Sequence, residues 1–206
     1  MRALSETVLA EGAAILSERD PDLAGVVRRY GPPPLWAREP CFATLLQIIL
    51  EQQVSLASAR AAYGRLDGVI PAVTPEAFLT LDDATLRAVG FSRQKAGYGR
   101  SLAAALIDGS FDLDAVAGLP DERAREELVG LKGVGPWTAD TYLLMALGRP
   151  DVWPAGDIAL QAAVRDLKNL PARPSHDEMV GLAEVWRPLR AVAARILWFH
   201  YLGGKG

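Results

Sequence analysis

Leu131-Lys132-Gly133-Val134-Gly135-Pro136-Trp137-Thr138-Ala139-Asp140 joins two helix-like stretches with almost no linker. Glu122 to Val129 leads into it, and Ala139, Tyr142, Leu143, Ala146 and Leu147 follow at helical spacing until Gly148 and Pro150 end the run. Two glycines one residue apart permit a tight hairpin with positive φ and leave the backbone amides uncovered. Those amides open the next helix, where orphan N–H groups and the dipole favour an anion. Such a turn can hold a phosphate without lysine or arginine. On the turn alone, a plain connector between two packed helices stays open.

The same period extends outward. Phe42, Leu45, Leu46, Ile49 and Leu50 form the stripe of a core-facing helix. Thr74-Pro75-Glu76 pairs a cap residue with proline at the first helical position. Ser175 with Glu178 makes a capping box, Ser92 caps a segment running to Ile107, and Pro188 opens a last helix through Tyr201. The nearest approach to a strand, Val69 to Val73, is interrupted by Pro71. The pattern predicts an all-α protein of nine or ten helices.

Half of the 206 residues are hydrophobic and 23% are charged, as in ordinary globular chains. No apolar run is long enough to span a bilayer, and no signal peptide is recognisable. A lone cysteine, Cys41, excludes an internal disulfide framework and fits the cytosol, or the nucleoid within it. His176 and His200 lack ligand spacing, so no transition metal is assigned. The net charge of −3 speaks against nucleic acid as a partner. By charge alone a helical metabolic enzyme is the better reading, unless oriented amides bind the phosphates.

The segment Leu131 to Asp140 resembles the helix-hairpin-helix signature of the DNA glycosylase superfamily, and of its 3-methyladenine DNA glycosylase II branch in particular. In that family a catalytic aspartate follows the hairpin by about twenty positions; Asp157, in Trp153-Pro154-Ala155-Gly156-Asp157-Ile158, stands there. Ile48 to Ser55 resembles a second landmark, a helix end whose loop enters the DNA. Trp186 to Trp198 resembles the C-terminal helix of the alkylbase branch. Together the likeness runs from about residue 40 to 203.

The resemblance implies two helical subdomains with the active-site cleft between them. One comprises residues 1–39 plus 151–206, the other 40–150 with the helix-hairpin-helix at about 121–148. It implies a compact form without the N-terminal β domain of some relatives. Strand-nicking members carry a lysine amine nucleophile after Gly-x-Gly-Pro; Trp137 stands here, so a monofunctional glycosylase is implied. A single cysteine cannot hold an iron–sulfur cluster, and no cofactor is required.

Its substrate would be duplex DNA carrying alkylated bases, bound by a monomer, with the target base flipped out of the stack. Trp137 and Trp198 would line an aromatic pocket for a cationic alkylpurine, beside Thr141, where some members of the family have a second aromatic, and Tyr142. Asp157 would face the oxocarbenium-like sugar. Gln53 matches the side chain that fills the gap, flanked by Gln52 and Val54. Lys132, Gly133, Val134 and Gly135 would meet phosphate, as would Arg93 and Lys95 before another helix. Carbonyls of Val129, Leu131 and Val134 would surround a structural Na⁺ or K⁺.

Each assignment has a plainer rival. Asp157 also suits the N-cap of a helix over Asp157 to Leu167, both tryptophans suit a core, and Gln52 and Gln53 suit a helix end. Lys132 and Glu51 depart from the family's usual proline and small residue. The alternatives in function are a glycosylase for uracil or mismatched thymine, and a non-catalytic protein that binds DNA through the hairpin.

Overall fold

Local capping chemistry sets where the chain turns. The computed structural model describes residues 3–204, and all regular structure among them is helical. The helices are α1 (Glu6–Arg19), α2 (Pro21–Tyr30), α3 (Phe42–Glu51), α4 (Leu56–Asp67), α5 (Pro75–Leu79), α6 (Asp83–Ala88) and α7 (Arg93–Ile107). They continue as α8 (Leu113–Ala117), α9 (Asp121–Val129), α10 (Pro136–Met145), α11 (Ile158–Leu167), α12 (His176–Ala183) and α13 (Arg190–Tyr201), with a 3₁₀ turn at Glu184–Trp186 before the last. Thr74, Ser92 and Ser175 cap α5, α7 and α12 as expected, the last with its full capping box. The helices exceed the expected number because short ones of five or six residues, too short to show a period, open at further cap residues: Asp82 opens α6 and Asp112 opens α8. Pro188 does not open α13. It follows a cis peptide bond, and the helix starts at Arg190, whose N–H donates to Asp151 at 3.3 Å. No described helix is long and apolar enough to cross a membrane.

The chain forms two units. The first takes the residues through Ala37 and those from Leu143 onward. Its centre is α13, whose Ala191 to Leu197 are all buried and which packs on α1, α2 and α11. Alanines at 191, 193 and 194 let those neighbours approach closely. Arg195 is buried in the same helix with no carboxylate partner among the described residues. Its guanidinium donates to the carbonyls of Leu35 (2.8 Å), Leu144 (2.9 Å) and Ala191 (3.1 Å), and burial pushes its pKa down to about 10. The N-cap of α2, Asp20, accepts from Trp186 Nε1 at 2.9 Å and Lys168 Nζ at 3.0 Å. Burial opposes its charge, but these donors and the Leu23 amide hold its carboxyl below the usual aspartate range.

The second unit is Arg38–Tyr142. Phe42 meets Phe78 edge-on and Phe78 meets Phe91 at a tilt, at centroid distances of 5.9 and 5.6 Å, among Leu45, Leu46 and Ile49. Glu51 is buried here, where the family pattern has a small residue; Arg38 holds its two oxygens at 2.9 and 3.2 Å. The seam falls inside α10, at 142/143 rather than 150/151. The cause is local: the Arg149 amide donates back to Leu143 at 3.0 Å, and Gly148 accepts from Leu4 at 2.8 Å.

Candidate nucleic-acid interface and active site

The turn between α9 and α10 closes through the Val134 amide, which donates to the Leu131 carbonyl at 3.1 Å. Gly133 lies at φ +89°, where a side chain is strained, and a Cβ there would come within 2.2 Å of Tyr98 Cγ. Gly135 differs, because a Cβ on it would meet open space. One glycine therefore serves packing, while the other leaves the backbone uncovered from outside. The first bond of the α10 ladder runs from Ala139 N–H to Gly135 at 3.0 Å, so the preceding amides precede the ladder. Lys132 is exposed, whereas Val134 is buried and could offer a ligand only its backbone.

The end of α3 is fastened to that turn. Gln52 Nε2 donates to the Gly133 carbonyl and to Thr138 Oγ1, both at 2.8 Å. Gln53 then adopts φ +56° with its side chain exposed, and Val54 beside it is 45% exposed. Gln52 is thus the anchor and Gln53 the protruding tip. Lys95 differs from its expected role. Its ammonium turns inward, donating to the carbonyls of Leu50 and Gln52 at 2.7 Å each, and burial pushes its pKa down. The carbonyls at the end of α3 have no intrahelical donors, and the ammonium supplies them. Arg93, at the first turn of α7, is exposed.

In the first unit, Asp157 and Trp198 come together. Asp157 caps α11, and its Oδ1 accepts the Leu160 amide at 2.8 Å and Trp198 Nε1 at 3.1 Å. Asp157 is 8% exposed, its carboxylate fixed by its own helix and by an indole of α13. Capping and a chemical role are therefore compatible in one residue. The segment leading to Asp157 is pinned by Trp153, which donates to the Met179 carbonyl at 3.0 Å and meets Trp186 edge-on at 5.4 Å. Sequence reasoning gave Trp153 no role. The clue was a large aromatic four residues before the carboxylate.

Among the three α10 residues expected at a base pocket, Trp137 is half-buried and has surface to offer. Thr141 is 4% exposed and its hydroxyl donates to the Trp137 carbonyl at 2.7 Å. Tyr142 is fully buried, its hydroxyl has no hydrogen-bond partner among the described residues, and burial raises its pKa. Both side chains lie in the interior, because residues 138–144 of α10 are buried on every side, and of the three only Trp137 has surface to offer. A cavity of about 540 Å³ in the second unit, lined by Cys41, Phe42, Thr74, Phe111, Asp112 and Asp114, contains none of the expected site residues.

The described residues contain no group of three His, Cys, Asp or Glu able to hold a metal. A cation at the hairpin would rest on carbonyl oxygens. The donor set is chemically suited to a hard ion, and the Leu131 oxygen keeps a second lone pair beside its bond from Val134.

Residues 46–188 match the HhH-GPD superfamily of base excision DNA repair proteins, and the chain belongs to that superfamily. Among its relatives is DNA-3-methyladenine glycosylase 1 of Schizosaccharomyces pombe, 31% identical over 189 residues, which are 89% of this chain and 82% of that protein. Another is the Bacillus subtilis protein YfjP, 29% identical over 184 residues, 85% of this chain but only 64% of that protein. The fold is also that of the S. pombe 3-methyladenine DNA glycosylase Mag1 in complex with abasic DNA, with a TM-score of 0.84 and 29% identity over 92% of this chain and 95% of that one.

Proposed function

We propose that the protein is a monofunctional alkylbase DNA glycosylase, which hydrolyses the N-glycosidic bond of bases such as 3-methyladenine and 7-methylguanine in duplex DNA. The observation that carries this reading is the double hold on Asp157 Oδ1 by the Leu160 amide and the Trp198 indole. A carboxylate fixed by preorganised donors is complementary to a sugar that gains positive charge, and it needs no reorganisation during the reaction. An alkylated purine is already cationic, so its C1′–N bond breaks with the electron pair returning to the base. Water then adds to C1′ and its proton passes to Asp157 or solvent, leaving an abasic site. Trp137, where strand-nicking relatives carry lysine, offers a π-face for the cationic base and no amine to attack the sugar.

The hairpin amides and Arg93 are assigned to phosphate, and Gln53 to the gap left by the flipped base. A Na⁺ or K⁺ on the Val129, Leu131 and Val134 carbonyls would add positive charge at that turn. The protein is expected to act as a cytoplasmic monomer on chromosomal DNA.

Asp157→Asn tests the central claim, because asparagine keeps an oxygen for both Leu160 and Trp198 while removing the negative charge. Wild-type protein incubated with methylated duplex should release free base and leave abasic sites without strand breaks. The variant should bind the same DNA and react about a hundredfold slower or worse. Wild-type silence on every alkylated base would refute the activity, and equal rates would remove Asp157 from the chemistry.

A further inference from the structure

We propose that Lys95 and Gln52 are positioning residues for base eversion, holding the Gln53 tip at a fixed height against the phosphate-binding hairpin so that backbone grip and strand penetration occur as one event. The assignment rests on the chain acting on a flipped base. It begins from an expenditure that helix termination alone does not require. A helix end is ordinarily closed by glycine or water, yet here a half-buried ammonium is drawn onto two carbonyls, Leu50 and Gln52, at 2.7 Å. Desolvating a lysine is unfavourable unless its donors are used, and two of its three are.

The next residue, Gln53, is a non-glycine in the left-handed region with its side chain in solvent. Such a conformation persists only where the surroundings over-determine it, and the immobilised Gln52 on its N-terminal side supplies that. Gln52 is held at both ends. Its carbonyl accepts from Lys95, and its carboxamide donates to Gly133 and Thr138, which lie on either side of the hairpin's uncovered amides. Tyr98, one turn beyond Lys95 on α7, lies against Gly133, and its hydroxyl accepts from Gln94 at 2.6 Å. The end of α3, the hairpin and α7 thus close a triangle, with the tip and the phosphate turn on the same frame.

Three roles for Lys95 give different signatures. A phosphate contact changes how affinity depends on salt, a merely structural lysine changes the melting temperature, and a positioning lysine changes eversion. The experiment uses Lys95→Met, Gln52→Met, Gln53→Ala and the Lys95→Met/Gln53→Ala double variant. The probe is a duplex carrying 2-aminopurine beside an uncleavable abasic analogue, whose fluorescence reports unstacking. Both Lys95→Met and Gln52→Met should reduce the eversion equilibrium about tenfold. Affinity for undamaged duplex should stay within about twofold, with an unchanged slope of log Kd against log salt. The double variant should be no worse than Gln53→Ala alone, because both act through one side chain.

A salt slope lowered by about 0.9 in Lys95→Met would make Lys95 a phosphate contact and overturn the proposal. Additive losses in the double variant, or normal eversion by a folded Gln52→Met, would overturn it too. Should Lys95→Met not fold, Gln52→Met carries the same test. The fluorescence requires no excision, so a wild type inactive on alkylated bases would defeat the proposed activity while this result stayed readable.

Discussion

Trp198 presents two different chemistries from one ring: a π-face and an N–H that donates to Asp157 Oδ1 at 3.1 Å. Family likeness alone assigned it the face. The structure adds the N–H, and the two can be separated by Trp198→Phe, which keeps an aromatic surface and deletes the donor. If the donor orients the carboxylate, kcat for excision should fall about tenfold with KM little changed. If only the face matters, kcat should stay at the wild-type value. Single-turnover and steady-state kinetics on methylated duplex decide between them. This bond was hidden in the sequence, because its partners lie 41 positions apart on different helices. Asp157 as a cap, by contrast, was legible from its neighbours, since capping is decided within one helical turn.

At the scale of elements, the two glycines of the hairpin make opposite predictions. Gly133→Ala pushes a Cβ into the Tyr98 ring at a positive φ and should lower stability by about 1–3 kcal/mol. Gly135→Ala adds a methyl to open space, so the melting temperature should hold. It should instead weaken DNA binding about tenfold by covering the approach to the amides. Thermal melts and duplex titrations read the two effects, and a Gly135→Ala protein with normal affinity would move phosphate binding away from this turn. The hairpin itself was plain in the sequence, because two glycines and a proline act on adjacent backbone. Its supports were not. Gln52 reaches Gly133 across 81 positions and Lys95 reaches Gln52 across 43, distances over which no local pattern carries information.

For the whole molecule, a net charge of −3 coexists with membership of a DNA repair superfamily, which composition alone argued against. Some of the basic residues are spent inside the fold: Arg195 on carbonyls, Arg38 on Glu51, Lys168 on Asp20 and Asp22. The Asp20 cluster ties α2 to Lys168 and Trp186 in the first unit, and its carboxyl titrates below the usual range. Because the folded value is depressed, this stabilisation is fully present above the ordinary aspartate pKa of about 4 and is lost as the pH falls through the folded value. Asp20→Asn should therefore melt about 1–3 kcal/mol less stable at neutral pH. That difference should close under strong acid, and a gap independent of pH would show that charge is not what Asp20 contributes. The apolar stripe of α3 and most helix starts were legible because burial and capping have a short period. The polar cross-links were not, because burial of a charge is decided by whatever folds against it.

Gln53 has a further bearing. Its backbone is fixed from the N-terminal side by Gln52, while its own side chain stands in solvent. The shape of the tip is thereby decoupled from the integrity of the mount. Exchange at this one position alters the exposed tip and leaves the core untouched, with asparagine and glycine favoured by the left-handed backbone and β-branched residues opposed by it. The molecule thus carries an exposed position that can be exchanged, under selection or by design, at little expense to folding.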